Sequence, residues 1–383
     1  MKVNKLFYML ALLVSVSMMT ISCEDNGGSD DDDNDGYSYD FTNVIKTYVD
    51  DVIINTYTEM KDDATALYES VEAYAEDNSQ ENLNDVCAKW RAMRISWEQS
   101  EGFLFGPAAL LSLDPSLDSW PLDKGSIDQI LNGGVSIDVD RIASPNVHGF
   151  HAIEYLIFAE GNPKTTVLTD RELEYLQAAT EYLRNDTYQL YANWIGEDNM
   201  SDEVADVLEE AEIDVHFAFA SQFKNAGNAG STFLTQSDAI DQIIDGCIDI
   251  ASEVGAQKIG GPYNTAKTNY DQAVLEVESW YSWNSLADYH NNIVSIRNSY
   301  FGGRGKTAAN ASSNSISAFV KSKDATLDAE ITNTIEAAII AINAIPAPFR
   351  NAIKGGNNPL IDKAMNACRD LEDVMESIKS LRN

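Results

Sequence analysis

The stretch GFHAIEYLIFAEG, residues 149–161, places an imidazole and a carboxylate three positions apart, at His151 and Glu154, in mostly apolar surroundings. Residues three apart on a helix share a face, so both side chains point the same way. An imidazole nitrogen beside carboxylate oxygens can begin a metal site. It can also bond to its neighbour and a distant cation as a structural staple. Buried and unpaired, the carboxylate would be costly, so a metal ion, a distant arginine or a hydrogen-bond network has to compensate it.

Several chemistries lack their motifs. Zinc peptidase signatures H-E-x-x-H and H-x-x-E-H need two histidines, but Tyr155 follows Glu154. A ferritin-like di-iron bundle needs Glu-x-x-His twice, whereas this order is reversed and single. There is no G-x-S-x-G, phosphate loop or C-x-x-C. By spacing alone, His151 and Glu154 read as a salt-bridged core pair before a metal site. Burial beside other polar stripes shifts that balance.

The element carrying the pair reads as a helix with Ser144 as N-cap, Pro145 at its first position and Gly161 at its stop. Val147, Phe150, Ala152, Ile153, Leu156 and Ile157 surround it, the pattern of a buried helix, and Phe158 continues the His151 face. Two further helices carry polar stripes. Arg91, Arg94, Glu98 and Glu101 lie opposite Trp90, Met93 and Trp97, and i,i+4 pairing alone would neutralise them. Asp288, Asn291, Asn292, Ser295 and Asn298 lie opposite Tyr289, Ile293, Ile296 and Tyr300; this small polar face, free of Lys and Glu, suggests a lined cleft or a tight helix contact. The loop LDPSLDSWPLDKGSIDQIL holds Asp114, Asp118 and Asp123 around Trp120. These aspartates read first as turn or N-cap residues and only second as ligands.

Helical periodicity dominates the chain, over Phe41–Ala75, Leu83–Glu101, Asp202–Phe223, Gln236–Gln257, Asn264–Tyr300, Leu327–Ala344 and Leu360–Leu381, and Thr169 with Glu172 forms a capping box for a helix to Ile195. Nothing alternates at period two, so the expected fold is all-α: two helical bundles of related up-and-down topology packed against each other. The seam falls at 196–200 or 225–232, and we place the bundles at 37–199 and 200–383. A faint echo between Trp90/Trp97 before Phe105-Gly106-Pro107 and Trp280/Trp283 before Tyr300-Phe301-Gly302 hints at duplication.

Lys2 and Lys5 precede an apolar run from Leu6 to Met19 and then TISC, so residues 1–22 read as a lipoprotein signal with Cys23 as the lipidated N-terminus. The acidic, glycine-rich segment that follows, to residue 36, is a tether. Acidic residues just after such a cysteine resemble the signal that sends Bacteroidetes lipoproteins to the outer face of the outer membrane. A net charge of -35 argues against nucleic acid as a partner. Cys87, Cys247 and Cys368 form no disulfide framework; buried free thiols are expected, with a Cys247–Cys368 bridge conceivable.

Taken together, these stretches resemble the imelysin family. Its G-x-H-x-x-E hallmark stands at Gly149, His151 and Glu154. Ser100-Glu101 through Phe105-Gly106-Pro107, Trp120-Pro121-Leu122-Asp123 with Ile127-Asp128, EVGAQKI at 253–259 and NNIVSIRNSYFG at 291–302 match further segments in order. Lys124, where many members have glutamate, and Phe158-Ala159, where many have an aromatic residue and glycine, depart from the pattern. The resemblance implies two related bundles with the G-x-H-x-x-E helix near their interface. It implies a metal set of His151 and Glu154 with Glu101 or Asp123 as further oxygen ligands, which suits iron better than zinc. The cleft would be lined by Gly149, Arg94, Glu98, Trp120, Asp128, Asn292 and Ser295. The first expectation is therefore a lipid-anchored envelope protein that captures iron, or a small iron-bearing ligand, for iron uptake with transport partners. Second comes a purely structural pair, bonded to Arg91, Arg94 or Arg297. Third comes a metallopeptidase, although no motif supplies its third ligand and separate base.

Overall fold

The computed structural model describes residues 36–382; the expected leader, Cys23 and the tether to residue 35 lie outside them. The fold is all-α. The first helical run, Thr42–Thr47, continues through a π-helical stretch, Tyr48–Ile54, into α1 (Asn55–Glu76). Helix α2 (Gln80–Glu98) starts at the Ser79 cap, whose side chain accepts from the Asn82 backbone N–H. A one-turn helix α3 (Leu113–Leu117) and α4 (Gly149–Ile157) follow, then α5 (Asp170–Ile195), opened by the Thr169/Glu172 capping box. The second half contributes α6 (Gln236–Glu253), α7 (Ser285–Phe301), α8 (Ala325–Asn343) and α9 (Pro359–Glu376).

Packing sorts these helices into two sets. Helix α1 lies against α2 and α5, and α4 lies between α2 and α5; in the second half α9 packs on α6 and α8, and α7 on α6 and α8. The sets meet where α7 crosses α2 and where the 3-10 turn Glu101–Phe103 touches α6 and α7. The described residues form one compact unit around a single large apolar core. Among the described residues no helix is long and apolar enough to cross a membrane. Cys87, Cys247 and Cys368 are buried free thiols, and burial pushes each up to about 12.

Four local expectations are corrected; the helix expected over 202–223 breaks into Asp202–Glu210 and Phe219–Lys224, with irregular chain at 211–218 between them. Helix α4 begins at Gly149, not after Ser144, because residues 144–147 form a turn. It ends at Ile157: Phe158–Ala159 (β1) pairs antiparallel with Asn162–Pro163 (β2), so Gly161 turns a hairpin and Phe158 does not extend the helix face. The run expected as one helix over 264–300 is broken. Gly260–Thr265 and Tyr270–Glu276 are short helices, and an irregular segment at 277–284 precedes α7. Ser279 and Trp283 there adopt left-handed φ values of 51° and 61°.

Candidate functional site

Helix α2 buries Trp90, Met93 and Trp97 completely, and the same helix carries Arg94 and Glu98 into the protein where the two helix sets meet. Arg94 is 0% exposed. Its guanidinium lies 2.5 Å from Asp118 Oδ1, 3.2 Å from Glu278 Oε1 and 3.2 Å from Asp288 Oδ2, and it also bonds Glu98. Burial works hardest against its charge, but these carboxylates outweigh burial and hold it well above its ordinary range. Glu98 turns its other oxygen to Asn292 Nδ2 at 2.5 Å, and Ser295 Oγ accepts from the Gly102 N–H at 2.9 Å. The small polar face of α7 is thus buried against α2 and the turn after it.

A second cation, Lys258, comes from the π-helical stretch Val254–Ile259 that continues α6. Its ammonium lies 3.3 Å from Glu278 Oε2, 3.5 Å from Glu101 and 3.9 Å from Glu253. Glu278 therefore bridges both cations, and it reaches them only because the chain at 277–284 leaves helical geometry.

The His151–Glu154 pair is 1% and 0% exposed. His151 Nδ1 is 3.0 Å from Glu154 Oε2, while Glu154 Oε1 accepts from the Ser282 backbone N–H at 2.8 Å and its hydroxyl at 2.7 Å. Both oxygens are thereby engaged, and α4 is tied to the segment carrying Glu278. His151 Nε2 points the other way, 3.0 Å from Asp118 Oδ1 and 3.9 Å from Glu278 Oε1, yet neither approach is aligned as a hydrogen bond. Trp120 closes over the imidazole edge-on at 4.7 Å.

Asp118 reaches this point as the residue that ends α3, while Ser116 within the helix bonds Asp186 and His148 Nε2. Gly149 explains the close approach of α3 to α4. Its φ is +77°, and a Cβ there would strike the Leu117 and Ser116 carbonyl oxygens. Asp118 Oδ2 accepts from the Trp97 indole at 2.6 Å.

The cluster places seven carboxyl groups, Glu98, Glu101, Asp114, Asp118, Glu154, Glu278 and Asp288, around three bases, Arg94, Lys258 and His151. Burial raises Glu98, Glu101 and Asp288 above the usual carboxylate range and Asp114 to about 6, whereas Arg94 and His151 outweigh burial at Asp118 and hold it well below. For His151 burial opposes charge, but Asp118 and Glu154 prevail and lift it to about 10. An open cavity of about 270 Å³ borders the cluster, lined by Glu101, Asp114, Asp118, Trp120, Glu253, Lys258, Glu276 and Glu278 among others. Three overlapping groups there offer ligand atoms within 4.8 Å of one another: Asp118, His151 and Glu278; Glu98, Glu278 and Asp288; Glu98, Glu101 and Asp118. The second surrounds the Arg94 guanidinium, so that cation already fills it.

Of the expected site residues, His151, Glu154, Glu101, Arg94, Glu98, Trp120, Asn292, Ser295 and Gly149 come together here. Two do not. Asp123 is exposed and caps the helix Lys124–Leu131 through the Ser126 N–H at 3.0 Å, so it is no ligand beside His151. Asp128 is half-buried away from the cluster and holds Lys124 and the Tyr155 hydroxyl, at 2.5 Å and 3.0 Å. Glu154 belongs to none of the three ligand groups; it is a strut rather than an available donor. Arg91 bonds the Gly161 and Ser282 carbonyls and Asn284, and Arg297 faces Glu336, so neither pairs with His151 or Glu154. Sequence reasoning gave Asp114 and Asp118 a ligand role only as the second reading and Asp288 only a place on the polar face; Lys258, Glu278 and Ser282 carry no local signal that marks them as site members.

A family model described as Imelysin matches residues 53–378. The chain belongs to the imelysin family. Iron-regulated protein A of Synechococcus elongatus is 28% identical over 334 residues, 87% of this chain and 84% of that protein. A crystal structure from Parabacteroides distasonis, assigned by name to the iron-regulated protein A precursors, is 37% identical, covers 90% of this chain and 95% of its own, and superposes with a TM-score of 0.80. An imelysin-like protein from Psychrobacter arcticum, 12% identical with a TM-score of 0.63 over 89% of this chain and 96% of its own, shares the fold. In this imelysin each motif position has a distinct task. Gly149 admits the end of α3 that leads into Asp118, His151 aims Nε2 at the acids, and Glu154 holds the ring and ties α4 to the Glu278 segment.

Proposed function

We propose that this imelysin binds a metal cation at the cavity below Trp120. His151 Nε2, giving up its proton as the ion binds, would hold the ion together with Asp118 and Glu278, with Glu98 and Glu101 beside them. The observation that carries the reading is His151 Nε2 itself, a buried nitrogen without an aligned partner, aimed at a cluster whose carboxyl groups outnumber its bases. The donor set fits iron: one imidazole nitrogen and carboxylate oxygens, with no thiolate in any of the three groups. The names of the Synechococcus and Parabacteroides relatives point the same way. Bound there, the ion would neutralise the surplus acid; the chain's own residues orient and shield it. Trp120 covers the imidazole and Arg94 fixes Asp118. Glu154 has both oxygens engaged and is unsuited to act as a base, which favours capture over peptide hydrolysis. We place the protein in the bacterial envelope, anchored through Cys23, as a carrier in iron uptake.

Elemental analysis and calorimetric titration with ferrous, ferric and zinc ions test this, with His151→Ala and Asp118→Asn beside the wild type and circular dichroism as the folding control. The reading expects iron to bind the wild type, and helical variants to bind it at least about tenfold more weakly, ~1.4 kcal/mol. Equal uptake by all three proteins would place any bound metal on the acidic surface and end the proposal.

A further inference from the structure

Arg94 and Lys258 neutralise the same acids but are held in different ways. Arg94 is fully buried and forked into Asp118, Glu98, Glu278 and Asp288, with Asp118 Oδ1 at 2.5 Å, so it cannot leave without unpacking the site. Lys258 lines the open cavity, its three carboxylate approaches are all 3.3 Å or longer, and it sits on a flexible four-carbon stem. One of the three, Glu253, is half exposed and also lines the cavity, a second resting place away from Glu278. The Lys258 backbone belongs to a π-helical stretch, a rare conformation that recurs at functional sites.

We propose that Lys258 is a tethered, exchangeable cation: its ammonium occupies the acidic cavity until a metal ion displaces it toward Glu253, and that competition sets the affinity of the site. This rests on the reading of the cavity as a cation site. It adds that Glu278 changes partner on loading, from the Lys258 ammonium to the ion, while Arg94 stays in place.

The test uses manganous ion as an air-stable divalent probe, titrated calorimetrically into the wild type, Lys258→Met and Lys258→Gln. In the wild type the acetylation of Lys258 by an amine-reactive anhydride is followed by peptide mass spectrometry with and without the ion. Both variants are expected to bind about tenfold or more tightly than the wild type, and the ion is expected to raise Lys258 acetylation as the ammonium leaves the cavity. Wild-type binding with equal or weaker binding by the variants, or acetylation unchanged by the ion, overturns the exchange while leaving the cation site standing. No binding by any of the three overturns both readings. Binding by the variants alone sustains the competition and removes metal binding by the natural chain. The acetylation arm needs no substitution, so a variant that fails to fold leaves the question decidable.

Discussion

Replacing Glu154 by alanine tests whether the motif glutamate is a strut. Its carboxylate takes three donors in a region shut off from water: the Ser282 N–H at 2.8 Å, the Ser282 hydroxyl at 2.7 Å and His151 Nδ1 at 3.0 Å. Each buried donor left without an acceptor costs ~1–3 kcal/mol, and removing one member of a buried ion pair costs ~3–5 kcal/mol. We expect Glu154→Ala to lose about 4 kcal/mol, the middle of that range. Glu154→Gln keeps an oxygen for Ser282 but sets an amide N–H₂ against His151 Nδ1–H, so the expected loss is about 2 kcal/mol. Ser282→Ala keeps the backbone donor and removes one hydroxyl bond to a charged group, about 1.5 kcal/mol. Because the two residues share bonds, the double variant should lose clearly less than the sum of the single losses. Urea unfolding followed by far-ultraviolet circular dichroism, with constant m-values, measures all four. A Glu154→Ala loss below about 1 kcal/mol, within the range of ordinary substitutions, or strict additivity with Ser282→Ala, would refute the strut.

Three further outcomes follow from the geometry. Burial raises Asp186 to about 7, and its Oδ2 lies 2.5 Å from Ser116 Oγ. With the unfolded value near ~3.9, the folded pKa is the higher one, so this contribution is complete below about pH 4 and lost as pH rises through about 7. Asp186→Asn should flatten the stability profile in that window and be the more stable protein at pH 8, read from melting temperatures across pH. Asp123→Ala should cost only the cap of the Lys124–Leu131 helix, about 1 kcal/mol, and leave ion affinity unchanged by calorimetry; a loss of affinity would return Asp123 to the ligand set. Gly149→Ala should cost about 2 kcal/mol from its left-handed backbone alone and weaken ion binding as well, because the added methyl pushes α3 and Asp118 away. A drop in urea midpoint with unchanged affinity would break that link.

Elements with strong local signals were readable before the fold was known. The capping box at Thr169 and Glu172, the apolar surround of α4 and the small polar face at Asn292 and Ser295 depend on neighbours within a turn or two, and each is present. The aspartates of the loop were ambiguous for a physical reason: a short polar side chain at a turn looks the same whether it caps a helix, as Asp123 does, or meets an arginine from another helix, as Asp118 does. Glu278 was hidden more deeply. Residues 264–300 contain no glycine or proline to mark a break, so a helix was read across it, whereas the chain turns at Ser279 and Trp283 in conformations that side chains seldom adopt. Lys258 stands in a stretch whose pattern is ordinarily helical, and only tertiary packing aims it at Glu101.

The acids and bases of the cavity are drawn from chain positions between Arg94 and Asp288. A chain still being made has its histidine and aspartates long before Glu278 and Asp288 exist to join them, and before Lys258 can offset Glu101. The cluster is therefore complete only when residues of both helix sets are in place. A chain cut short before 278 would carry the recognisable motif without the two acids, Glu278 and Asp288, that complete the cluster around Arg94.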